Sequence, residues 1–364
     1  MTAAITTQNN MSKSNNRIMS AVLHHIDVTS KNTSPIKITG QQSDLEGYLN
    51  DLLGEVKTRQ QKREYDFSRT TTEFYSALIS YHGQQDLQLN TMSSGLANRL
   101  LDKEVATDVR YGHLGTDGKG HVKKGSFLQF LYTEDDGSIA YLGVKIEHQT
   151  FIDEMDLKKK IGLSIANKIY KACRVNFDKN KIPSKVFVYD TNAKPSTYWW
   201  HDFLELKELR TDAHNTQTAS KAIIKVINTI KKNHPTDHTI LRNAIVSSFK
   251  QNSSFDYYDF LQKTIENYEP EDAALKTIMP KIINKLKELP KNENFDTQFS
   301  LVPSAVPFRK TKYNLTKEIS ITIEDGIEDL SDKIWSERTA SGKELVIIES
   351  PEGFKKFTQK IREI

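Results

Sequence analysis

Apolar positions change period several times along the first half of the chain, and each change marks an element. Residues 18–28, Ile-Met-Ser-Ala-Val-Leu-His-His-Ile-Asp-Val, have the β-branched and apolar content of a strand, and Ser34–Thr39 is a second candidate. At Ser43 the period lengthens. Ser43-Asp44-Leu45-Glu46 fits a capping box, and behind it Leu45, Tyr48, Leu49, Leu52, Leu53 and Val56 recur at helical spacing to about Gln61. Further amphipathic helices are expected at Thr71–Tyr81 and Thr91–Thr107. Gly112–Gly125, with five glycines, reads as a loop. The clearest hairpin pairs Ser126–Thr133 with Ile139–His148 across Glu134–Ser138, where Asp136-Gly137 supplies the positive φ such turns need. A long helix over Asp156–Arg174 and a strand over Lys185–Asp190 are expected next.

The second half begins with helical spacing in Ser220–Lys232, Thr236–Lys250, Phe255–Asn267 and Glu271–Leu289. Pro280 is expected to kink or divide the last of these. Strand patterns follow in Tyr313–Ile323, Lys333–Thr339 and Glu344–Glu349, and Pro351 marks a short closing helix. The expected fold class is α+β. A polar tail (1–17) precedes an N-terminal mixed α/β domain (18–197), a helical region (198–290) and a small C-terminal β-hairpin/α region (291–364).

Composition narrows the class. With 37% hydrophobic residues in 364, the chain can build more than one core. No run approaches the ~18–20 apolar residues of a membrane span, and Met1–Asn16 lacks the apolar stretch of a signal peptide. The single cysteine, Cys173, forms no intramolecular disulfide and suits a reducing cytoplasm; it is expected as a packed helical thiol.

Charge points to a partner. The net charge is only +4, yet Asp156–Lys185 holds nine Lys/Arg against two Asp. On a helix at ~100° per residue, Leu157, Ile161, Ile165, Ile169 and Ala172 would face a core. Lys160, Lys171 and Arg174 would share the opposite side with Lys159 beside them, a stripe able to follow phosphates without reading bases. Lys168 is a misfit inside the apolar arc. Lys123 and Lys124, in the glycine-rich loop, are expected to assist. That loop lacks the Gly-x-x-x-x-Gly-Lys-Ser/Thr order and precedes a strand, so no phosphate cradle is expected.

Catalytic chemistry is thinly represented. Asp135, Asp136, Glu147 and Asp153 are the carboxylates a metal-dependent nuclease would use, but Gly143 stands two residues before Lys145, where a second carboxylate belongs. His234 and His238 have a His-x3-His spacing interrupted by Pro235, with no cysteine to join them. His24 and His25 would face opposite sides of a strand, at least one of them buried or interfacial. No nucleophile elbow appears, and no cofactor, metal or catalytic residue is expected.

One resemblance organises these features. After the early strand pair come Phe74-Tyr75-Ser76-Ala77-Leu78 and Gly95-Leu96-Ala97-Asn98-Arg99-Leu100, then the hairpin with Ala140-Tyr-Leu-Gly-Val-Lys-Ile-Glu147. Phe203-Leu-Glu-Leu-Lys-Glu-Leu-Arg210, Ile319–Gly326 and Lys343–Glu349 complete the order. Over about residues 18–362 this resembles the 37-kilodalton nucleoid-associated proteins of bacteria, the NdpA-like or YejK-like family. The resemblance implies a cytoplasmic, nucleoid-located protein associated with double-stranded DNA. It also implies an N-terminal and a C-terminal domain and, for some members, a type II topoisomerase partner. A non-catalytic DNA-binding homo-oligomer is the resulting expectation. A protein-interaction regulator of a DNA enzyme, topoisomerase or defence-system partner, is the alternative, and a metal-dependent nuclease is the second.

Overall fold

In the computed structural model the described residues are 18–36, 43–60, 62–111, 125–152, 159–163, 171–192 and 194–359. They form an α+β fold in two compact units that meet in sequence between Arg210 and Thr211.

The N-terminal unit is built on one antiparallel sheet. Its strands are β1 (Ile18–Asp27), β2 (Asn32–Ile36), β3 (Arg63–Phe67), β4 (Gly125–Thr133), β5 (Ile139–Ile152), β6 (Lys159–Leu163), β7 (Lys171–Phe177), β8 (Pro183–Asp190) and β9 (Leu206–Glu208). They lie in the order β2-β1-β4-β5-β7-β8-β3-β9, with β6 paired to the far end of β5. The hairpin turns as its sequence requires, with Gly137 at φ +80°. At the start of β4 only glycine fits, because a Cβ on Gly125 would stand 2.3 Å from the Ile146 carbonyl oxygen.

Strand alternation gives this sheet two buried faces. On one, Leu128, Phe130, Tyr132, Leu142, Val144 and Ile146 pack against Leu49, Leu52, Leu53 and Val56 of α1 (Ser43–Thr58). The other carries Val22, Phe127, Leu131, Tyr141, Cys173, Val175 and Val188 under α2 (Glu73–Gly83), α3 (Thr91–Tyr111) and a π-helical turn, Tyr198–Phe203. Each fully buried Leu, Val or Phe contributes about 1.5–3 kcal/mol of burial free energy. Cys173 lies in the middle of the second face with no exposed surface, and burial pushes its thiol well above the ordinary range. It is a strand residue rather than the helical thiol expected.

Where the range Asp156–Arg174 is described, strands stand in place of the expected helix. Its described parts are β6 and β7, and β7 is held on both sides: Lys171 pairs in register with Lys145 of β5 and with Asp190 of β8. Short β3, which mixes charged and aromatic residues, and the three-residue β9 were not expected as strands.

The C-terminal unit opens with α4 (Asp212–Ile227), which begins eight residues before the expected Ser220. Thr211 caps it, its hydroxyl accepting from the His214 amide. Then come α5 (Pro235–Phe249), β10 (Ser254–Asp256), α6 (Tyr257–Leu261), α7 (Ala273–Lys287), α8 (Leu289–Asn292) and β11 (Gln298–Ser300). Pro280 sits inside α7 without dividing it. Ile223, Ile227, Leu241, Ile245, Phe249, Phe260, Leu275 and Phe299 share its core.

Two antiparallel ribbons follow. β12 (Lys310–Asn314) pairs β13 (Ser320–Glu324), so the Tyr313–Ile323 stretch read as strand reverses in its middle. After α9 (Leu330–Lys333), β14 (Ile334–Arg338) pairs β15 (Glu344–Ile348), and α10 (Pro351–Phe354) closes the described chain with Pro351 in its first turn. Beyond Val306, Asp325 is the one buried residue among the described residues. Arg242 of α5 grips its carboxylate with two bonds of 2.6 and 2.9 Å, and Lys250 donates to its backbone oxygen.

Candidate nucleic-acid interface

The cations singled out in the sequence do not form one stripe. Lys171 is completely buried, on the same face of β7 as Cys173, under α2 and α3. Its ammonium donates to Asp190 Oδ2 at 2.7 Å and to Ser196 Oγ at 2.8 Å, and burial holds its pKa below the ordinary lysine value although Asp190 opposes that. Arg174 pairs with Glu134 at 3.0 Å and stacks 5.9 Å from the Phe187 ring. The stripe required a helix, and alternation along β7 puts Lys171 and Arg174 on opposite faces instead. Lys159 and Lys160 lie on β6. Lys123 and Lys124 fall outside the described residues.

A cationic stripe does exist, on α3. Arg99, Lys103 and Arg110 fall within about 40° of one another at helical spacing. Arg99 is fully employed: its guanidinium donates to the carbonyls of Phe203 at 2.9 Å and Asp202 at 2.7 Å and pairs with Glu73 and Glu205. It ties α3 to the π-helical turn. Lys103 and Arg110 have no carboxylate partner among the described residues; Arg110 stands 5.9 Å from the Tyr111 ring.

Between this side of α3 and residues 192–205 lies a cleft of about 740 Å³. Arg99, Lys103, Thr107, Arg110 and Tyr111 line it from the helix. Lys145 contributes from β5, and Asn192, Ser196, Thr197, Tyr198, His201, Asp202 and Glu205 close the far side. Lys145 is almost wholly buried and donates to both Glu104 oxygens at 2.6 and 2.7 Å. Burial raises the Glu104 pKa although Lys145 beside it opposes that. The acids at the rim are answered too, Glu205 by Arg99 and Asp202 by His201 at 2.7 Å. The cleft thus has ion-paired inner walls and two cations, Lys103 and Arg110, left over at its helix side.

Reading the charge run alone passed over this stripe, because three cations spread over twelve residues among acids raise no local excess. Helical phasing applied to Thr91–Thr107 and the residues after it would have found it.

The candidate nuclease carboxylates are not assembled. Asp135 and Asp136 sit in the β4–β5 turn, and Asp136 is engaged by the Ser138 amide at 2.9 Å and hydroxyl at 2.6 Å. Glu147 is eight residues along β5 from Ile139, about 26 Å of strand; Asp153 falls outside the described residues. Among the described residues no group of three or more His, Cys, Asp and Glu could hold a metal. His234 pairs with Asp272 at 2.6 Å and His238 with Asn228 at 2.9 Å. His24 is buried, and His25 stacks on His148 with ring centres 4.9 Å apart. Among the described residues no helix is long and apolar enough to cross a membrane.

Compared with known proteins, the family described as nucleoid-associated protein YejK matches residues 22–351. No curated protein and no solved structure matches the chain.

Proposed function

Because the chain belongs to the nucleoid-associated protein YejK family, we propose that it binds duplex DNA without catalysis, holding it mainly by the phosphates. The observation that carries this reading is the pair Lys103 and Arg110. Both are cations without a carboxylate partner among the described residues, on one side of α3, at the edge of a cleft whose other charges are answered. Phosphate is the partner such a surface lacks. Lys159 and Lys160 remain in the proposal as additional phosphate contacts, with Lys123 and Lys124. Lys171 and Arg174 leave it, since their charges are spent on Asp190 and Glu134.

Fluorescence anisotropy with a labelled duplex, repeated across salt concentrations, tests this. Log K should fall linearly with log[salt], and reversing two phosphate contacts should flatten the slope by about 1.8. The Lys103→Glu/Arg110→Glu protein should lose at least about tenfold in affinity at ~0.1 M salt, independent of DNA sequence. Undiminished binding by this variant sinks the assignment of the surface, and no duplex binding by the parent protein at low salt sinks the function.

A protein partner is a second reading with its own support. Trp335, Val346, Ile348, Phe354 and Phe357 are all exposed within one short C-terminal stretch. A DNA enzyme, such as a topoisomerase, or a second copy of the chain would cover them. Partner recovery that survives nuclease treatment and fails with Trp335→Ser/Ile348→Ser would establish it.

A further inference from the structure

The cleft of the N-terminal unit is too small for a double helix. Its volume is only about 740 Å³. It falls instead within the ~300–1,000 Å³ of sites that hold small molecules. Resting on the DNA reading above, we propose that this cleft receives one unpaired nucleotide, with its phosphate on Lys103 and Arg110 and its base against the tyrosine rings that line it.

The distribution of charge matches such a ligand. A nucleotide is anionic at its phosphate and neutral at its base. The cations without a carboxylate partner among the described residues stand on α3, while Lys145 within the cleft is paired with Glu104. The lining offers flat aromatic and small polar groups together, namely Tyr111, Tyr198, Ser196 and Asn192. Aromatic faces stack on any base, and hydroxyl and amide groups satisfy base edges without demanding one sequence. The wall is also pre-formed: Asp190 accepts from the amides of Asn192 and Ser196 at 2.9 and 2.8 Å, so the residues facing the ligand are held before it arrives.

The ligand has two possible sources with one chemistry, a free nucleotide or an unpaired position in a DNA strand. A labelled, 5′-phosphorylated oligothymidylate serves as the probe, with dTMP as competitor, on the full chain. Saturable oligothymidylate binding is expected. It should weaken at least tenfold in Thr107→Trp, which plugs the cleft without changing charge, and in Lys103→Glu/Arg110→Glu. Competition by dTMP at concentrations near its oligonucleotide equivalent identifies the free nucleotide as a sufficient ligand; competition only by oligonucleotide identifies the strand. Either supports the proposal.

Covalently closed duplex separates this from the DNA reading. If Thr107→Trp keeps the parent's thermal midpoint and oligothymidylate affinity, the nucleotide site is overturned, and closed duplex bound with its usual salt dependence leaves the duplex reading standing. Should Thr107→Trp fold poorly, Tyr111→Ser, at an exposed ring, carries the same test.

Discussion

The carboxylate of Asp190 takes hydrogen bonds from the Lys171 ammonium and from the amides of Asn192 and Ser196, so one side chain both discharges a buried cation and shapes a wall of the cleft. Removing it leaves Lys171 charged in the core. Asp190→Ala should cost about 3–5 kcal/mol, read as a lower urea midpoint of the N-terminal unit. Lysines such as Lys171 could not be placed from the sequence, because a buried lysine and a solvated one look alike until the residue opposite is known. For His24 and His25 alternation showed only that they face opposite sides of a strand; that His24 is the buried one is seen only in the structure. In the C-terminal unit His238 is a second buried titratable group. Burial, with Lys231 and Arg242 nearby, lowers its pKa from 6.5 to about 4. The unfolded chain therefore binds the extra proton first. The stabilising difference is full above pH 6.5 and is lost as pH falls toward 4, on the order of 1–3 kcal/mol. Thermal midpoints at pH 7.5 and 4.5 should diverge for the parent and converge for His238→Gln.

Elements that signal themselves locally were readable from the chain. The hairpin of β4 and β5 has alternation, an Asp-Gly turn and an apolar run, and α1 has a cap followed by a helical period. The segment Asp156–Arg174 has the same statistics as a helix, yet β7 owes its conformation to strands on either side of it. Periodicity cannot see a neighbour 30 residues away, and the misfit of Lys168 in the proposed apolar arc was the one local warning. The cleft was illegible for a related reason: α3, β5 and the segment after β8 meet only once the sheet closes. Within the hairpin, Gly125 and Gly137 separate two kinds of constraint. Gly137→Ala should cost ~1 kcal/mol, the price of a left-handed turn residue. Gly125→Ala should cost more, about 1–3 kcal/mol or above, because its Cβ would meet a backbone oxygen at 2.3 Å and backbone cannot step aside. Denaturant titration of the two variants side by side reads the difference.

On the scale of the whole molecule, burial is distributed very unevenly. The sheet of the N-terminal unit is packed on both faces, while no residue of the ribbons β12–β13 and β14–β15 is buried and Asp325, just after β13, is the one buried residue beside them among those described. Two-stranded ribbons have little stability of their own. In hydrogen exchange their amides should be replaced orders of magnitude sooner than those of β4, β5 and β7. Arg242→Ala, which releases Asp325, should accelerate the ribbons further and leave the sheet untouched. The position of Cys173 makes that sheet separately observable. It is the only sulfur nucleophile in the chain, and nothing reaches it while β7 stays between β5 and β8. A disulfide reagent therefore acts as a stopwatch on native protein, advancing only when the N-terminal unit opens. A ligand that slows the stopwatch has bound the unit that contains the cleft; one that leaves it running has bound elsewhere.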